Sequence, residues 1–178
     1  MKNLKKTVSI MLALSLAALF LNTGEVKSQS ETLNKVKKSV QTETVKTPSK
    51  EEIQATLAMD TFNAINAYRA KKGLSKLVWN DTLSTVAFKR AKEVSGKFSH
   101  TRPNGKSYES LYISSGLNAA TIGESLGSGI YSGTDMLTVW LSSDFHKQML
   151  ESGAYTYIAV GTYIDESGMS YIVAEFMQ

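Results

Sequence analysis

Cysteine is absent from this chain of 178 residues. That absence excludes a disulfide framework, a cysteine zinc site and a thiol nucleophile. Proline is almost as scarce, with two residues, so no proline-rich or collagen-like segment is present. A folded domain in this chain must therefore be stabilised by its hydrophobic core alone, and a hydrophobic content of 42% is enough to form one.

A basic surface is also missing from most of the chain, although the net charge is +4. Residues 51–178 carry 11 Lys and Arg against 13 Asp and Glu, so the positive excess lies in the first 50 residues. Nucleic-acid binding requires a basic stripe on the folded part. The sequence therefore predicts no nucleic-acid partner.

The first 28 residues have the pattern of a secretory signal peptide. Lys2, Lys5 and Lys6 precede an uncharged apolar stretch over residues 8–21. That stretch is shorter than the roughly 20 apolar residues that usually cross a membrane. The pattern favours export with cleavage, and membrane attachment stays open only through an uncleaved signal segment. We therefore expect a secreted, extracellular protein, either free or associated with the cell envelope.

The next segment, residues 29–50, is rich in Ser, Thr, Lys and Glu and is predicted to be a polar flexible tether. Residues 51–178 then form one domain. A helix-start signal marks the boundary, because Ser49 can cap a helix and Glu52 completes a capping box three residues later. Gly73 is a helix stop.

Further helices are predicted from apolar spacing. Asn80 or Asp81 caps a second helix that ends at Gly96. Residues 97–133 are expected to be loops with a short helix near residues 108–115. A third helix, capped by Thr134, covers residues 135 to about 142, and a helical turn follows at residues 145–150. The predicted buried side of the third helix comprises Met136, Leu137, Val139 and Trp140.

The end of the chain changes to a period of two. Residues 157–162 and 171–177 alternate as strands, and Asp165 to Gly168 has the composition of a hairpin turn. Helices come first and an antiparallel hairpin comes last. This order predicts an α+β fold rather than a doubly wound parallel sheet.

A set of motifs runs in order through about 120 residues and resembles the CAP superfamily, which comprises cysteine-rich secretory proteins, antigen 5 and plant pathogenesis-related proteins. The resemblance is strongest to the bacterial SCP-like branch. No single motif is specific, but their order is. The motifs occupy residues 62–69, 73–80, 98–100, 123–126, 139–146 and 158–161, with Leu83, Ala87 and Phe176.

The resemblance implies an α-β-α sandwich with a cleft lined by His100, Glu124 and His146. Many family members have two His and two Glu there, and in some the two His bind a divalent metal, often zinc. His100 and His146 are thus the candidate metal ligands. Ser143 occupies the position of the second Glu, as it does in bacterial relatives, and Ser125 replaces the Asn that usually follows Glu124. These departures put the full four-residue chemistry in doubt.

The residues of this cleft allow two interpretations each. Glu124 is a candidate catalytic base, and equally a carboxylate that hydrogen-bonds a His and holds the loops together. Ser142 and Ser143 are better explained as helix-end residues than as nucleophiles, because no nucleophile-elbow motif is present. The tyrosines either floor a ligand groove or pack the sheet, and packing is favoured.

Two functions of different classes follow. The first is a secreted binding module for an extracellular ligand or cell-envelope component, with or without zinc or another divalent cation. The second is a metal-assisted or Glu/His-dependent hydrolase of peptide or envelope polymer. The absence of the second Glu and of a nucleophile motif favours binding, and enzyme activity, as a hydrolase, stays open as the alternative.

Overall fold

The computed structural model describes residues 47–178, so the predicted signal peptide and most of the predicted tether lie outside the described residues. The first helix, α1, covers Lys50–Lys71. Its capping box is confirmed: Glu52 N–H donates to Ser49 Oγ at 3.2 Å, and Ser49 N–H donates to Glu52 Oε2 at 2.7 Å. The remaining elements are β1 Val78–Trp79, α2 Asp81–Gly96, α3 Glu109–Ser114, β2 Ile122–Ser128, α4 Gly133–Leu141, α5 Asp144–Glu151, β3 Tyr157–Ile164 and β4 Ser170–Met177.

One four-stranded sheet, in the order β1-β3-β4-β2, forms the middle layer. The predicted terminal hairpin is confirmed as β3 and β4, which are antiparallel, while β1 pairs with β3 in parallel. Gly168 adopts a φ of 86° in the hairpin turn, a conformation that favours glycine.

Alternate side chains of the strands enter two separate cores, as the pleat of a sheet requires. On one face, α1, α4 and α5 cover residues such as Ile158 and Phe176, with the fully buried Trp140 at the centre. On the other face, α2 and α3 cover Ala159 and Met177. The predicted α-β-α sandwich is confirmed.

Helix α2 approaches the sheet unusually closely at Gly161 of β3. A Cβ placed there would lie 2.0 Å from the carbonyl carbon of Ala87. The backbone of α2 therefore packs directly on the backbone of β3. Further along the helix, Ala91 and Val94 form a buried cluster with Leu126 of β2 and Val173 of β4.

Three local predictions are wrong. The segment at residues 97–133 contains strand β2, which we expected to be loop, because its sequence has few β-branched residues and gains its strand conformation by pairing with β4. Helix α4 begins two residues early, since Ser132 Oγ rather than Thr134 accepts the capping hydrogen bond, from Asp135 N–H at 3.1 Å. Val139 is 46% exposed and does not belong to the buried side of α4.

Candidate functional site

Strand β2 positions Glu124 at the centre of the site. Leu126 on the same strand joins the core beneath α2, so Glu124, two residues away, faces the same helix. There it meets the buried Arg90 of α2: Arg90 Nε donates to Glu124 Oε2 at 2.6 Å, and Nη2 donates to Oε1 at 3.2 Å. Both side chains are fully buried, so the two form a two-bonded ion pair inside the domain.

The same arginine holds the loop that follows α2. Arg90 Nη2 also donates to the carbonyl oxygen of Ser99 at 2.9 Å, and Nη1 donates to Glu93 Oε2 at 2.9 Å. Arg102, at the far end of the loop, donates to Glu93 Oε1 at 2.7 Å. Burial alone raises the pKa of Glu93, but hydrogen bonds from Arg102 and Arg90 outweigh it and lower that pKa below its usual value.

His100 is carried by this loop and reaches back to Glu124. Its Nδ1 lies 2.8 Å from Glu124 Oε1, and its side chain is 51% exposed. Since Glu124 is a carboxylate, Nδ1 carries the hydrogen, and the Nε2 atom is left for a ligand. The ring also lies beside that of Tyr108, with centroids 6.2 Å apart.

His146 comes from the opposite layer of the sandwich, on α5. Partial burial lowers its pKa below the usual value, and the charge of His100 lowers it further. The exposed ring of Phe145 stands edge-on to His146 at 5.8 Å. His146 is therefore neutral at neutral pH, and an exposed aromatic ring lies beside it.

Buried Arg69 of α1 holds α5 in place. Its Nη1 donates to the carbonyl oxygens of Leu150 at 2.7 Å and Ser152 at 2.9 Å. These acceptors lie at the end of α5, where carbonyl groups have no partner within the helix. Arg69 thereby fixes the helix that carries His146.

The two serines of the cleft motif are placed at helix ends. Ser142 follows α4 and donates to the carbonyl oxygen of Val139 at 2.6 Å. Ser143 precedes α5 and makes no capping hydrogen bond through its side chain. Within residues 47–178, no hydrogen bond joins either hydroxyl to His100 or His146, so neither serine is arranged as a nucleophile.

Sequence reasoning missed the charged network behind the cleft. Arg90 lies on the apolar side of α2, between Ala87 and Ala91, and that interruption of an apolar stripe was the available signal. Glu175 similarly interrupts the buried residues of β4 and lies directly opposite Glu124. A charged residue at an inward position indicates a buried partner.

The sequence model of the cysteine-rich secretory protein family, CAP, matches residues 62–176, more than half of the chain. The chain belongs to this family. The match spans the segments that carry His100, Glu124 and His146, and the resemblance inferred from the motifs is confirmed.

Two relatives of this CAP chain come from Bacillus subtilis (strain 168). The uncharacterized membrane protein YlbC is 27% identical over 112 residues, which cover 62% of this chain and 32% of YlbC. The uncharacterized protein YkwD is 30% identical over 98 residues, which cover 54% of this chain and 38% of YkwD. The matched part thus spans about a third of the length of these relatives.

Solved structures share the fold of this CAP domain. An extracellular protein containing an SCP domain from Bacillus anthracis superposes with a TM-score of 0.67 at 21% identity, covering 72% of this chain and 42% of that one. An outer surface protein of Borrelia burgdorferi gives 0.61 at 24% identity, covering 66% and 88%. A cysteine-rich secretory protein of Staphylococcus aureus gives 0.59 at 18% identity, covering 70% and 39%.

The metal that the CAP resemblance implies does not fit the donors found here. Within residues 47–178, no group of three or more His, Cys, Asp or Glu side chains is arranged to hold a metal ion. Glu124 is not a third ligand, because Arg90 and His100 occupy its oxygens. Catalytic zinc sites take three protein ligands and structural sites take four. Among the described residues, the candidate ligands are His100 and His146, fewer than either kind of site takes.

In the same described part of the CAP chain, none of the helices has the length and apolar character needed to cross a bilayer. Each imidazole has an aromatic neighbour: the partly buried Tyr108 lies beside His100, and the exposed Phe145 lies beside His146. Burial raises the pKa of Tyr108, so its hydroxyl stays protonated. These groups offer hydrogen bonds and aromatic contact to a ligand.

Proposed function

We propose that this CAP protein is a secreted binding module whose cleft between His100 and His146 takes an extracellular ligand or a component of the cell envelope. The observation that carries the proposal is the state of Glu124. Its carboxylate is buried and hydrogen-bonded to Arg90 and His100. Glu124 therefore orients the imidazole of His100 and is not free to act as a general base towards a substrate. A binding site needs such a fixed imidazole, whereas a Glu-dependent hydrolase needs a free base.

The N-terminal sequence supports the extracellular assignment, since residues 1–28 have the pattern of a signal peptide. The names of the structural neighbours from Bacillus anthracis and Borrelia burgdorferi, an extracellular and an outer surface protein, agree with it. The rings of Phe145 and Tyr108, each beside one of the two imidazoles, suit a polymer that presents sugar or peptide faces. Insoluble peptidoglycan is therefore the first ligand to test.

The second candidate is a hydrolase of peptide or envelope polymer. The pair of His100 and Glu124 favours it, because a carboxylate-oriented imidazole can act as a general base. A hydrolase would release soluble fragments from the polymer, whereas a binding module would not.

Purified protein is expected to sediment with insoluble peptidoglycan and to release no soluble fragments from it. The double variant His100→Ala, His146→Ala is expected to lose most of this binding, since both imidazoles leave the cleft. Phe88→Ala is the matched control, because Phe88 is an exposed aromatic residue on the groove between α1 and α2 and should leave binding unchanged. Circular dichroism checks the fold of each variant.

Equal sedimentation of the double variant and the wild type would contradict the proposed cleft. If the wild type releases soluble fragments and His100→Gln does not, the protein is a hydrolase rather than a binding module. The polymer assay therefore separates the two candidate functions within one preparation.

Zinc binding is expected to be weak, since two imidazoles provide fewer ligands than a zinc site requires. Calorimetric titration of metal-stripped protein at about pH 7.5 measures it directly. We expect no tight saturable site, and no difference between the wild type and the double His variant. Tight one-site binding that disappears in the double variant would show that the cleft rearranges to recruit a third donor.

A further inference from the structure

Glu175 of β4 lies buried behind the cleft. It pairs in register with Glu124 of β2, so the two carboxyl groups project from neighbouring strands towards the same helix layer. Tyr112 donates a hydrogen bond to Glu175 Oε2 at 2.7 Å. The other oxygen, Oε1, is buried and accepts no hydrogen bond from any residue of the described part. A buried carboxylate oxygen without a donor is rare in folded proteins.

The groups around Glu175 do not supply a counter-charge for it. Arg90 faces it from α2, Glu124 from β2, and Tyr112 and Tyr108 from α3 and the residue before it. On β3 the opposite residue is Ala159, which carries no charge. Arg90 is already bonded to Glu124 and Glu93.

The two arginines of this network and the two carboxylates that they bind balance without Glu175. Arg90 and Arg102 provide two positive charges, and Glu93 and Glu124 provide two negative ones. A third carboxylate in this network would be an uncompensated charge away from water, which folded proteins avoid by protonation.

We propose that Glu175 is a neutral carboxylic acid at neutral pH and that its Oε1 hydroxyl donates to the carboxylate of Glu124. Glu175 is thus a positioning residue: it holds Glu124 in the orientation in which Glu124 binds Arg90 and orients His100. The inference concerns the two carboxyl groups and is independent of what the cleft binds.

The electrostatics of the site agree with this geometry. Burial raises the pKa of Glu175 well above its usual value, and the charge of Glu124 and a hydrogen bond between the two carboxyl groups raise it further. The Tyr112 hydroxyl and the charge of Arg90 act in the opposite direction and do not offset the rise. The proton resides on Oε1, the oxygen that has no other partner.

A raised pKa in the folded state makes stability depend on pH with a defined sign. The unfolded chain releases this proton near pH 4.3, roughly the ordinary value for Glu. The contribution of Glu175 to stability is therefore complete below that pH and is lost as pH rises through the folded pKa. Within this window the folding equilibrium constant decreases about tenfold per pH unit for one proton.

Glu175→Gln tests the proposal, because Gln keeps the shape and the donor but cannot ionise. We expect the full chain with this substitution to remain folded and to resist denaturant better than the wild type at about pH 8. The difference should shrink towards about pH 5. Glu109→Gln, which changes an exposed Glu on α3, is the matched control and should show no such trend. Glu175→Leu, without a donor, should not reproduce the gain.

Infrared spectroscopy of the wild type gives a second measurement that requires no variant to fold. A protonated carboxylic acid has a carbonyl stretching band distinct from that of a carboxylate, and we expect this band at neutral pH. Its absence in the wild type would overturn the proposal. A stability difference between Glu175→Gln and the wild type that is constant with pH would overturn it as well, since the side chain would then not exchange a proton on folding.

Discussion

Gly161→Ala is expected to cost more than about 3 kcal/mol of the free energy of unfolding, or to prevent folding altogether. The added Cβ would lie 2.0 Å from the carbonyl carbon of Ala87 and 2.2 Å from the nitrogen of Phe88. Both atoms belong to the backbone of α2, so no side-chain rotation can relieve the overlap. Helix α2 would have to move away from the sheet, and Arg90 would move with it.

Gly96→Ala is the matched control for this substitution. Gly96 is the last residue of the same helix, and a Cβ there meets no atom within 4 Å. Because alanine is the better helix former, this change should be neutral or stabilise by up to about 1 kcal/mol. Urea denaturation of both variants measures the difference. Equal stabilities would show that α2 does not approach β3 as closely as described.

Arg90→Met is expected to destabilise the protein by about 3–5 kcal/mol, because it leaves Glu124 buried without its cation. Methionine retains most of the volume of the arginine stem, so the loss measures charge and hydrogen bonding rather than a cavity. The loop that carries His100 should also become mobile, since it loses the bond from Arg90 to Ser99. Urea denaturation and the width of the His100 ring signals in nuclear magnetic resonance spectra report these two effects.

The double variant Arg90→Met, Glu124→Leu separates the pair from its surroundings. Removing both charges should restore much of the stability lost in Arg90→Met, because no uncompensated carboxylate remains. Lys50→Ala is the control for an exposed ion pair, since its partner Glu166 is almost fully exposed, and should change stability by less than about 1 kcal/mol. Additive effects of the two buried substitutions would contradict a direct ion pair.

Local sequence signals predicted the elements whose structure depends on nearby residues. The capping box of Ser49 and Glu52, the cap at Asn80 and the alternating terminal strands all rest on contacts within a few residues, and all three are confirmed. Strand β2 could not be found in this way. Its seven residues include several Gly and Ser, and only their pairing with β4, about 50 residues further along the chain, makes them a strand.

For the candidate site, too, the sequence motifs identified some of the residues and not others. His100, Glu124 and His146 were selected from motifs, and the structure joins His100 directly to Glu124, while His146 lies on α5 in the opposite layer. What the motifs could not predict is how Glu124 is used. The role of Glu124 depends on Arg90, 34 positions earlier in the chain, and on Glu175 of the neighbouring strand. The sequence around these two residues does not indicate that Glu124 is their partner.

The two imidazoles of the cleft belong to different layers of the sandwich. His100 is tied to the layer of α2 and β2 through Glu124, while His146 is tied to α1 through α5 and Arg69. A compound that contacts both rings would therefore act as a cross-link between the two helix layers. Its binding energy would add to the global unfolding free energy. Melting temperature alone would then be a sufficient readout for screening ligands.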